Sequence, residues 1–175
     1  SNSVTPFIEW NPVLGDLNEH YAGNFVDEDA VLLAARNQDF NTAAIGKVGP
    51  TLLFDHTDRT GEKTIIVDDS TGTPAGVPLS QAMWVALSDA GLPLAAPNRG
   101  GNARIGNATT PGTIEANVAQ QKYFADVATK VVLPLFKESN KPFVLVFWSR
   151  DPDGTQHNQG DSLLKVERGI NGPTS

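Results

Sequence analysis

The chain has 175 residues, no cysteine, three histidines and a formal net charge of −7, with 13 basic against 20 acidic side chains. That length suits one domain with a sizeable core. The absence of Cys excludes a disulfide scaffold, a thiolate metal site and a thiol nucleophile, and the acidic balance argues against a surface that coats nucleic acid.

Sixteen Gly and 12 Pro make the chain loop-rich without low-complexity repetition. No apolar run approaches the ~20 residues that a membrane helix needs. The start, Ser1-Asn2-Ser3-Val4-Thr5-Pro6, lacks the basic flank and apolar stretch of a signal peptide. Neither end falls at an element boundary, and both read as cut points.

Residues 1–25, with Pro6, Pro12, Gly15 and Gly23, read as an extended surface segment. Asp27-Glu28-Asp29 then offer a cap and favourable first-turn charge to a short helix over Ala30–Arg36. Thr42–Gly46 is small and apolar and predicts a buried strand leading into the turn Gly46–Pro50. Leu52–Phe54 and Thr64–Val67 are strand-like runs separated by the polar stretch Asp55–Lys63, which predicts a small β-hairpin. Asp68–Pro78 is a Gly/Pro/Thr loop.

Leu79, Met83, Leu87 and Ala90 recur at helical spacing, with Gly91 and Pro93 as C-terminal stop signals. A second loop over 94–112 carries Arg99 and Arg104. Thr113–Glu138 reads as a long helix, kinked or ended near its last turn by Pro134. Phe143–Trp148 is an unbroken apolar run, the pattern of a strand buried on both faces of a parallel sheet. The alternation of strands and helices predicts an α/β fold, a mostly parallel sheet with flanking helices, long loops and that hairpin. The whole of 1–175 reads as one partial domain, with 55–112 as a loop-rich insertion.

The chemistry concentrates after the last strand, in Asp151-Pro152-Asp153-Gly154-Thr155-Gln156-His157-Asn158-Gln159-Gly160-Asp161. Open α/β sheets place ligands beyond the carboxyl ends of their strands. Asp153 and His157 are four apart across a Gly-containing turn, and a carboxylate and an imidazole can converge on one cation such as zinc. Equally, the residues alone fit a polar surface turn closed by Asx hydrogen bonds. The segment is not an EF-hand loop, because Gln156 stands where the sharp-turn Gly belongs and no Glu closes it.

This block resembles the metal motif Glu-Pro-Asp-x-x-Gly-His-x-x-Gly-Pro of the alkaline-phosphatase superfamily, in its type I phosphodiesterase/nucleotide pyrophosphatase branch. Asp151-Pro152-Asp153 stands for Glu-Pro-Asp, His157 for the His and Gly160 for the later Gly. Gln156 replaces the Gly before the His, and Asp161 replaces the final Pro. Ala43–Pro50 and the ending Gly169–Ser175 are similar to family segments in the same order, although only the metal motif is specific. The resemblance implies that Asp153 and His157 bind one of two catalytic metal ions, usually zinc, with manganese or another divalent ion as substitutes. It implies a phosphoester small-molecule substrate, part of an alkaline-phosphatase-like core, and a periplasmic or secreted location.

The family also needs a Thr or Ser nucleophile upstream, and an Asp-His pair and a further His downstream. Thr5 lacks the surrounding features of the nucleophile, and Asp55-His56-Thr57 follows the wrong segment for the Asp-His pair. No catalytic nucleophile is therefore expected within this chain. It reads as an interior piece whose remaining polypeptide completes the site, and the isolated 175 residues are expected to be inactive. The competing reading is a non-catalytic α/β binding or interaction domain with an acidic surface loop. Gly46-Lys47 is not a phosphate loop, since Asn41 and Val48 occupy its Gly and Ser/Thr positions. Lys47 reads as a turn residue, His56 and His20 as polar loop residues, and Arg99 and Arg104 as solvated loop residues.

Overall fold

The computed structural model describes residues 10–23, 25–97 and 117–149. Three strands form its centre: β1 (Asn41–Gly46), β2 (Thr64–Asp68) and β3 (Phe143–Trp148). All pair in parallel in the order β2-β1-β3. Gly46 is in register with Asp68 on one side and with Trp148 on the other, so the carboxyl ends of the three strands lie level.

Helices cover both faces, which makes the fold α/β with a small parallel sheet. On one face Ala43, Ile45 and Val67 pack against Met83 and Leu87 of α4 (Gln81–Asp89) and against the C-terminal helical run. That run comprises α5 (Val118–Asp126), a π-helical segment (Val127–Val132) and α6 (Leu133–Glu138). On the other face Ala44 and Ile66 meet Leu14 of α1 (Asn11–His20), Leu32 of α2 (Val31–Arg36) and Leu52 of α3 (Pro50–Leu53). Period-two alternation along β1 thus feeds two separate cores. Small residues at Ala43 and Ala44 let both helical layers approach the central strand.

Several elements form as their sequence signals dictate. The Ser80 hydroxyl accepts the Met83 amide at 3.2 Å and caps α4. At its other end Gly91 adopts φ 67°, with Leu92 N–H donating to Leu87 C=O at 2.9 Å and Gly91 N–H to Ser88 C=O at 3.0 Å. Those two bonds make a complete Schellman motif. Pro134 breaks the long helix more gently than a kink. Its missing N–H falls just after the π segment, whose longer-range pairing lets the helix run on to Glu138.

Other expectations need correction. Residues 11–20 form α1 rather than an extended segment. Leu52–Phe54 is not a strand: Pro50 starts α3 after Gly49, and β2 then pairs parallel to β1, so the hairpin does not form. α2 begins after Ala30, and no side chain caps it, so Asp27–Asp29 do not serve as its cap. β3 is not buried on both faces. It is the outer strand of the described sheet, with Phe143, Phe147 and Trp148 exposed, while β1 is the strand buried on both sides. Residues 113–116 of the expected long helix lie outside the described residues, and helix begins at Val118. Within 55–112, β2 and α4 belong to the central sheet and its cover.

Candidate functional site

The level carboxyl ends of the strands bring together three short segments: Gly46-Lys47-Val48, Asp68-Asp69-Ser70-Thr71 and Trp148-Ser149. Each is held by backbone-directed bonds. Lys47 N–H donates to Trp148 C=O at 3.1 Å, which continues the β1–β3 ladder past its last pair. Val48 N–H donates to Asp69 Oδ1 at 3.0 Å and ties the turn after β1 to the end of β2. Gln121 Nε2 donates to Ser149 Oγ at 2.8 Å, so the first turn of α5 reaches the end of β3.

Gly46 is the geometric key. It sits at φ 135°, and a Cβ there would overlap the carbonyl oxygen of Trp148. Only glycine permits that backbone conformation and that approach together. The small-residue strand Thr42–Gly46 therefore ends on a residue that fixes how closely β3 lies at the site edge.

Asp68 is the unusual side chain. It is fully buried at the last position of β2. Its N–H donates to Thr71 Oγ1 at 2.8 Å, and its Oδ1 accepts Ser70 N–H at 2.8 Å. Its Oδ2 is buried and finds no hydrogen-bond partner among the described residues. Burial pushes the Asp68 carboxyl up to about 6, and the neighbouring Asp69 charge adds to the rise against the opposing Ser70 and Thr71 bonds. An acid in that range changes charge near neutrality. Asp68 ends β2 rather than opening the Asp68–Pro78 loop, and the sequence signal for it is the Asp-Asp doublet directly after an apolar strand.

Asp55 and His56 lie at the opposite, amino end of the sheet. Asp55 accepts Arg36 Nε at 2.8 Å and Nη2 at 3.1 Å, and it also bonds the Thr64 hydroxyl at the start of β2. Thr64 and Thr42 Oγ1 are 2.7 Å apart, completing a buried polar network. Burial alone would raise the Asp55 pKa, but the bonds from Arg36, Thr64 and Thr57 outweigh it and hold the carboxyl below its ordinary range. His56 faces Asn18, with Nδ1 and Oδ1 3.0 Å apart, and packs on the Phe25 ring at 4.5 Å. Burial lowers the His56 pKa against the opposing Asp55 charge. Both residues build structure at this end, Asp55 through Arg36 and Thr64 and His56 through Asn18 and Phe25. Lys47 sits in the β1–α3 turn, half-buried at the carboxyl edge.

Asp153 and His157, with Asp151, Asp161, Thr5, Arg99 and Arg104, lie outside the described residues. Among the described residues no three His, Asp or Glu side chains converge as a metal site. No described helix is long and apolar enough to cross a membrane. Comparison with family models, curated proteins and solved structures returned no match.

Proposed function

We propose that the chain is an interior part of a metal-dependent phosphoester hydrolase, resembling the type I phosphodiesterase/nucleotide pyrophosphatase branch of the alkaline-phosphatase superfamily. Asp153 and His157 supply one ligand pair of its di-zinc site. One observation carries the reading. The parallel strand β3 ends at Trp148, level with the carboxyl ends of its neighbours, and the Asp151-Pro152-Asp153…His157 block follows in the chain after two intervening residues. That is where open parallel sheets bind ligands.

The donor set suits zinc, which accepts both carboxylate oxygen and imidazole nitrogen. Held by Asp153 and His157, zinc would supply the charge that lowers the pKa of an oxygen nucleophile and offsets charge on the leaving oxygen. A catalytic zinc takes three protein ligands and an open position, so this chain's pair needs partners from the remaining polypeptide. The nucleophilic Thr or Ser, the Asp-His pair and the last His belong to that polypeptide as well. In this reading the enzyme is periplasmic or secreted.

A zinc titration of the 175-residue chain tests it. Weak binding is expected, lost in both Asp153→Ala and His157→Ala, with no hydrolysis of a nitrophenyl phosphodiester. Zinc binding unchanged in both variants, or none at all, would favour the non-catalytic domain with an acidic loop.

A further inference from the structure

A second feature of the carboxyl side owes nothing to the metal pair. The loop leaving β2, the first turn of α4 and residues 94–95 surround a cleft of about 480 Å³. Small-molecule sites span roughly 300–1,000 Å³. Pro74, Val77, Pro78, Leu79, Leu94 and the half-exposed Trp84 supply its main walls. Among the described residues no charged side chain lines it, although the chain carries a net charge of −7.

The walls are held by backbone. Ala96 N–H donates to Thr71 C=O at 3.1 Å, joining the two sides. Gly72, at φ 82°, lies so close to Ala95 that a Cβ would overlap it, and a Cβ on Gly76 would overlap the Ser70 carbonyl. Thr71 in turn holds the Asp68 amide, so the cleft is anchored to the end of β2. A site shaped by backbone contacts and two prolines loses little entropy on binding.

We propose that this cleft binds a flat, uncharged ring stacked on the Trp84 indole. Neutral walls offer no compensation for desolvating a charge. An exposed indole face favours planar π systems over saturated groups of the same size. A nucleobase and a simple aryl group share that chemistry.

The experiment uses the 175-residue chain without metal, so it reads ring binding separately from zinc binding. Adenosine, 4-nitrobenzyl alcohol and the saturated control cyclohexylmethanol are titrated by nitrogen–proton NMR. Saturable shifts are expected at the Trp84 indole N–H and the Gly72 and Gly76 amides. Binding should weaken about tenfold in Trp84→Ala and survive in Trp84→Phe, as base–aromatic stacking energies imply. Adenosine alone identifies a nucleobase, the aryl alcohol alone an aryl group, and both a general ring site. No saturable shift with either ring overturns the proposal. So does equal binding of cyclohexylmethanol, or unchanged affinity in Trp84→Ala with folding verified by circular dichroism.

Discussion

Gly46 and Trp148 meet where β1 and β3 end: the backbone of one leaves no room for a Cβ beneath the carbonyl of the other. Lys47 N–H closes on that same carbonyl at 3.1 Å. Gly46→Ala should therefore cost roughly 2–3 kcal/mol, from positive-φ strain plus the overlap. Gly91 is a suitable control, since it has φ 67° but nothing within 4 Å of an added Cβ. Gly91→Ala should cost only about 1 kcal/mol. Denaturant midpoints of both variants, read by circular dichroism, check the contrast. Equal losses would show that the approach of Trp148 contributes nothing.

Asp68 gives a pH dependence with a definite sign. Its folded pKa, about 6, lies above its ordinary 3.8 because burial disfavours the charged form. Below the ordinary value both states are protonated and the group contributes nothing. As pH rises from there toward 6, the folded state keeps a proton that the unfolded chain releases, so stability falls. Above about pH 6 the penalty is complete, on the order of 3 kcal/mol. Asp68→Asn should thus be more stable than the parent at pH 8, with the difference gone by about pH 3. Thermal unfolding across that range measures it, and a pH-independent difference would refute the titration.

The strands and α4 were legible because each rests on a local pattern. Thr42–Gly46 and Phe143–Trp148 are apolar runs of strand length, and Leu79, Met83 and Leu87 mark a helical face. α1 was not legible, because Pro12 and Gly15 read as breakers. In the fold Pro12 lies in the first helical turn, where a missing N–H costs nothing, and Gly15 packs against the Arg59 guanidinium, which a Cβ would crowd. Leu52–Phe54 misled for a related reason: its apolar side chains fit a strand, but Pro50 directly after Gly49 starts a helical turn. Burial of β3 depends on what lies beside it, which no run of six residues encodes. The orphaned oxygen of Asp68 is likewise a product of packing. The reading of Asp153 and His157 as metal ligands rests on resemblance alone, since a four-residue spacing also suits an ordinary polar turn.

Asp55 works at the amino end in the opposite sense to Asp68. Its carboxylate is 1% exposed and joins α2 to β2 through Arg36 and Thr64. Asp55→Asn should destabilise by about 3 kcal/mol, because it leaves the Arg36 charge short of its partner. The folded pKa lies below the ordinary 3.8, so this contribution is present above that value and lost as pH falls below it. The variant should accordingly lose part of the parent's acid unfolding limb. A limb of unchanged steepness, followed by fluorescence from pH 5 to pH 1, would assign acid lability to other groups.

Ile45 and Phe147 are register partners on neighbouring strands, yet Ile45 is fully buried and Phe147 is 40% exposed. The difference separates a central strand from an outer one. β3, outermost in the described sheet, carries no Lys, Pro or bulge to protect that edge, and its six residues are all apolar. The 175-residue chain should therefore self-associate as its concentration rises. Phe147→Lys should suppress that association while changing stability by less than about 1 kcal/mol, as expected of a partly exposed position. Ile45→Ala should cost about 3 kcal/mol through an unfilled cavity beside α4 and leave the self-association of the folded fraction unchanged. Sedimentation velocity over a concentration series, paired with urea titration, separates the two effects. If Phe147→Lys destabilised as much as Ile45→Ala, the outer face of β3 would be as fully packed in solution as the centre of the sheet.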